Sequence, residues 1–84
     1  MRRDALYVQD MVEAIDAIAA FIEGKRREDL RDNELLQSAI LQKLTVIGEA
    51  AARVSPELKN RFPEIEFRQI VRFRNIIVHQ YFGL

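Results

Sequence analysis

From Asp4 to Glu23 the apolar residues keep to one repeat: Val8, Met11, Val12, Ile15, Ile18, Ala19 and Ile22 recur at three- and four-residue spacings. Gln9, Asp10, Glu13 and Asp16 fall on the other faces. This is the period of an amphipathic α-helix, and it excludes the alternation of a half-buried strand. Gly24 is a natural stop, and Lys25, Arg26 and Arg27 suit the negative end of the helix dipole. A second helix is expected from about Asn33 to Val54. Its central stripe is Leu36, Ile40, Leu44, Ile47, Ala51 and Val54, widened by Leu35, Ala39, Val46 and Ala50. So broad an apolar face needs more than one neighbour, which predicts a central position or a dimer contact. Residues 25–33, rich in charge, read as a loop or a short helical turn.

Ser55-Pro56-Glu57 combines a capping hydroxyl, a proline suited to the first helical position and an acid for the first turn. A short helix over 56–61 follows, broken by Pro63. The last helix is expected from about Glu66 to His79, with Phe67, Ile70, Val71, Ile77 and Val78 as its apolar stripe. At 100° per residue Arg74 falls in the middle of that stripe. A cation there is costly unless it is paired or lines a cleft. Arg68, Arg72, Asn75 and His79 share the opposite side.

The 84 residues suffice for one domain, 1–84, with a thin core. Three Gly and two Pro leave little punctuation for a many-turned β-protein. With no Cys, disulfides and thiolate metal sites are excluded, and one His makes a zinc site implausible. Nothing in the chain reaches the length of an apolar membrane span, and no signal-type apolar block follows Met1-Arg2-Arg3-Asp4. A cytoplasmic protein is the expectation. Basic and acidic residues balance at 13 each, so net charge does not announce a nucleic-acid binder. Their distribution is uneven: residues 1–50 carry seven basic and ten acidic side chains, residues 51–84 six basic and three acidic. A polyanion is therefore expected to meet the second half.

The segment Phe73-Arg74-Asn75-Ile76-Ile77-Val78-His79-Gln80-Tyr81-Phe82-Gly83 resembles the signature of HEPN proteins of the HepT branch. Arg3-Asp4-Ala5-Leu6-Tyr7-Val8-Gln9-Asp10-Met11 and Ile47-Gly48-Glu49-Ala50-Ala51 resemble that family's first and second helices, so the likeness spans essentially the whole chain. It implies an all-α, antiparallel HEPN bundle that forms dimers, here with three main helices and a short one. Relatives carry a further helical segment after Tyr-Phe-Gly, so the chain is expected to be a shortened or trimmed member. Arg72-Phe73 departs from the small residue and Met usual in relatives, placing a bulky cation beside the motif.

The resemblance implies a prokaryotic toxin that cleaves RNA without metal or cofactor, paired with a minimal nucleotidyltransferase antitoxin. The residues are compatible with that chemistry. RNA carries its own nucleophile in the ribose 2′-OH. Histidine is the side chain suited to moving protons near neutral pH, and His79 is the only one present. Arg74 is able to hold phosphate oxygens in a bidentate manner. Asn75 and Tyr81 are expected in support. In this family the transferase attaches AMP to the motif tyrosine, which corresponds to Tyr81. Two difficulties follow from the residues themselves: one His must serve where cleavage wants both acid and base, and five helical residues turn Arg74 and His79 about 140° apart. Either the helix ends before His79, or a two-fold axis doubles the motif; the second is favoured. A non-catalytic HEPN module that docks a nucleotidyltransferase or nucleotide is the alternative function.

Overall fold

The computed structural model describes residues 2–81, apart from the side chains of Arg2, Val78, Gln80 and Tyr81. Five helices follow in order: α1 (Arg2–Ile22), α2 (Arg27–Arg31), α3 (Glu34–Arg53), α4 (Pro56–Arg61) and α5 (Phe67–Tyr81). No strand occurs among the described residues. The fold is all-α, as the periodicity requires.

The punctuation works as its chemistry suggests. Gly24 takes φ 71°, the left-handed region that a side chain disfavours, and ends α1. The charged stretch after it forms the short α2 rather than a plain loop. Asp29 Oδ2 accepts from the Arg26 backbone N–H at 2.9 Å, and Gln37 Nε2 donates to the carbonyls of Leu30 and Arg31 at 2.7 and 2.8 Å. These bonds satisfy groups at both ends of a helix too short to stand alone. Asn33 caps α3 by accepting from Leu36 N–H at 2.9 Å. Ser55 caps α4 by accepting from Leu58 N–H at 3.2 Å, with Pro56 at the first helical position.

The broad apolar face of α3 is used on two sides, for both α1 and α5 pack chiefly on α3. Asp4, at the start of α1, meets Ser55, just past the end of α3, so these helices run antiparallel. Phe67 at the start of α5 packs with Ala51 and Val54, while Arg74, two turns on, reaches back to Gly48, so α5 is antiparallel to α3 as well. The core forms around Ala51 (0% exposed), Val54 and Phe67, with Tyr7, Met11, Leu58, Ile70 and Val71 packed against it. Burying a side chain the size of Phe67 contributes about 2–3 kcal/mol. Leu35 departs from expectation: assigned to the apolar flank of α3, it stands 83% exposed. It lies in the first turn, where its neighbour Leu36 takes the inward direction.

Asp4 is the one buried charged residue among the described residues. Its carboxylate accepts from the Ser55 hydroxyl at 2.5 Å and the Ser55 N–H at 2.9 Å. The hydroxyl bond first, and the backbone bond second, hold its pKa below the ordinary carboxylate value. Ser55 thus ties three elements at once: it caps α4, follows α3 and anchors α1.

Candidate nuclease site on the last helix

Helix α5 continues through His79 to Tyr81. This removes one of the two sequence alternatives, that the helix ends before His79. The apolar side of α5 faces α3, with Phe67 and Ile77 buried and Ile70 and Val71 half-buried. Arg74 lies on this side, at the expected place in the middle of the stripe. His79 is exposed, on the outer side with Arg68, Arg72 and Asn75. A regular helix therefore separates Arg74 from His79 by about 140°. One chain does not aim both at a single phosphate.

Arg74 is paired. Its Nη2 donates to Glu49 Oε1 of α3 at 3.2 Å, and its Nη1 donates to Asn75 Oδ1 at 2.9 Å. Its Nε is buried without an acceptor among the described residues. The Arg74 side chain is 32% exposed and that of Glu49 45%, so water screens the pair, and it is worth roughly 0–1 kcal/mol. The contact orients the guanidinium more than it stabilises the fold. Gly48, Glu49, Ala52, Arg53, Val71 and Arg74 line a shallow cleft of about 190 Å³ at the α3–α5 seam. Asn75, expected in support, accepts from the arginine side chain.

Sequence reasoning missed Gly48 as part of this arrangement. A Cβ built on Gly48 would lie 2.1 Å from Arg74 Cβ and 2.4 Å from its Cγ. Only a residue without a side chain lets α5 cross α3 this closely, and that approach delivers Arg74 to Glu49. The available signal was a glycine in mid-helix, where it costs about 1 kcal/mol relative to alanine and so calls for a packing reason. Tyr81 closes α5, but its side chain lies outside the described residues, as do Phe82 and Gly83 of the motif. Lys25, Arg26 and Arg27 are exposed at the far α1–α2 turn.

The described residues thus form an all-helical bundle in which α5 carries the Arg-Asn-x-x-x-His segment and Arg74 lies against Gly48 of α3. The family described as ribonuclease HepT-like matches residues 11–84, and the chain belongs to it. The chain is 35% identical to "Probable ribonuclease HepT" of Thermococcus cleftensis over 78 residues, covering 93% of this chain and 71% of that protein. Two proteins of Methanocaldococcus jannaschii named "Putative RNase" are 30% and 26% identical over 78 residues. Each match covers 93% of this chain, and 64% and 72% of those relatives respectively. The chain thus spans roughly two thirds of their length. No solved structure matches it. Among the described residues no helix is long and apolar enough to cross a membrane, and no three His, Asp or Glu side chains gather as a metal site would need.

Proposed function

We propose that this chain is the ribonuclease component of a toxin–antitoxin pair, acting as one HEPN domain over residues 1–84 and cleaving RNA without a metal. Membership of the HepT-like family, with an exposed His79 on the helix that carries the arginine, is the observation that supports this reading most. In the reaction the 2′-oxygen of a ribose attacks the adjacent phosphorus, the bond from phosphorus to the 5′-oxygen breaks, and a cyclic phosphate remains. One proton leaves the 2′-OH and one reaches the departing 5′-oxygen. His79 handles a proton, Arg74 stabilises the charge that grows on the phosphate oxygens, and Asn75 keeps the guanidinium oriented. The separation of Arg74 and His79 around α5 favours a homodimer in which the motif of a second copy completes the site, so that two histidines serve as base and acid.

The proposed partner is a minimal nucleotidyltransferase. It would transfer AMP from ATP to the Tyr81 hydroxyl: the phenolic oxygen bonds the α-phosphorus and pyrophosphate leaves. The added phosphate would compete with RNA for the same cations. Mass spectrometry after incubation with transferase and ATP should show one or more AMP units on Tyr81, and an unmodified Tyr81 would remove this part of the reading.

The direct test is cleavage of total RNA by the purified chain in EDTA. Wild type should cleave and His79→Ala should lose 100-fold or more, an order of magnitude set by general acid–base catalysis, with helicity unchanged by circular dichroism. One observation favours a second reading. Arg74 is already engaged by Glu49 and turned to α3, as a structural arginine would be. A non-catalytic module that docks the transferase would show binding to that protein and no cleavage by wild type.

A further inference from the structure

Helix α5 and the α4 region enclose an open groove of about 840 Å³ beside the candidate site. Its charged lining is Lys59, Arg68 and Arg72 against a single acid, Glu66. None of the three cations meets a carboxylate among the described residues, where the one ion pair is Arg74–Glu49. Asn75 lines the same groove, and His79 follows it on the same side of α5. Arg68, Arg72, Asn75 and His79 lie at i, i+4, i+7 and i+11. They form a straight outer stripe about 16 Å long, stepping about 4–6 Å at a time. Two solvated arginines one turn apart on this line, with Lys59 of α4 across the groove, suit an extended polyanion better than a compact one.

The floor is of a different chemistry. Pro63 and Ile65 are exposed there, with half-buried Val71 beneath. A duplex would offer this surface only phosphates and sugar edges, its base faces being hidden in the stack. A single strand offers both a charged backbone and free apolar base faces. Asn75 links the groove to the motif, because its Oδ1 holds Arg74 while its side chain lines the groove.

We propose that the Lys59–Arg68–Arg72 groove is a binding site for single-stranded RNA. It tracks about three phosphates between Lys59 of α4 and Arg68 and Arg72 of α5, and delivers the next one to His79. This rests on the ribonuclease reading for its endpoint, but the binding is separable from the chemistry. Arg68 and Arg72 are positioning residues here, and neither is assigned to the proton transfers.

The test uses the full chain and a fluorescent 2′-O-methyl oligonucleotide, which no 2′-OH attack is able to cleave. Binding is followed by anisotropy across a salt series. Arg68→Gln with Arg72→Gln should weaken binding about tenfold or more and lower the salt slope by about 1.4, the value for two single-strand phosphate contacts. Lys25→Gln with Arg27→Gln removes the same charge at the far turn and should leave both quantities near wild type. Where wild type cleaves ordinary RNA, the groove variant should raise KM with kcat largely kept. Binding by wild type that is lost in the groove variant, with no cleavage by either, sustains the groove and sinks the ribonuclease reading. Equal binding by wild type and groove variant overturns the groove, whatever His79→Ala does to cleavage. No binding by wild type, equal losses in the two double variants, or equal affinity for a matching duplex would also overturn it. So would loss of transferase binding with RNA binding retained, which would reassign the patch to a protein partner.

Discussion

At the scale of single residues, Gly48 decides where Arg74 stands. Replacing it with alanine gains helix propensity of about 1 kcal/mol, but the new methyl group falls on Arg74 Cβ, an atom fixed to the backbone. A long side chain is able to swing away from such a contact, whereas a Cβ moves only with its helix. Overpacking should therefore win, with Gly48→Ala losing about 1–3 kcal/mol of stability in urea unfolding. Arg74→Ala in the same chain should not restore it, because its Cβ remains, whereas Arg74→Gly should relieve the clash. Recovery with Arg74→Ala would place the strain elsewhere. The sequence made Arg74 legible as an anomaly, a cation amid Phe67, Ile70, Val71 and Ile77. The seat on Gly48 was not legible, because it depends on which turn of α3 lies beneath which turn of α5, and no one-dimensional period encodes that register.

At the scale of elements, the junction of α1, α3 and α4 is held by one serine. Ser55→Ala removes the cap of α4, worth about 1 kcal/mol, and strips Asp4 of its hydroxyl donor. The lowered pKa of Asp4 makes its share dependent on pH. Its folded state prefers the carboxylate, so the contribution is complete above the ordinary value of 3.8 and is lost as pH falls through the lower folded value. Asp4→Asn should thus be less stable than wild type at neutral pH, with the difference shrinking in acid. Urea midpoints from pH 6 down to pH 2 check this, and a constant difference would contradict it. The helices themselves were readable, since Gly24, Ser55-Pro56 and the apolar spacings act locally. The Asp4–Ser55 bond spans 51 residues, and no local rule pairs them. α2 lay at the edge of legibility, as its ends are satisfied partly by Gln37 from the following helix.

At the scale of the whole molecule, the helices form a slab with principal extents of 42 × 28 × 20 Å. α3 lies between the other two long helices, and α1 shows Leu6, Val12 and Ile15 to solvent. A site shared between two copies makes a sharp prediction. A site that needs His79 from both copies is broken in every dimer that holds one His79→Ala chain. When wild type and His79→Ala are mixed one to one and allowed to exchange, cleavage should fall to about a quarter of that of the same total amount of wild type. A fall to only about a half, with exchange of subunits demonstrated, would mean that one His79 serves each site. The close crossing at Gly48 acquires a wider meaning in this setting. It fixes the height and roll of α5 against α3, and so the direction in which the outer stripe of that helix faces a second copy or a ligand. A side chain at position 48 would therefore disturb the site without touching a substrate, although this glycine has no atom that reacts. Its constraint is one of alignment, a bearing surface on which the working helix is seated.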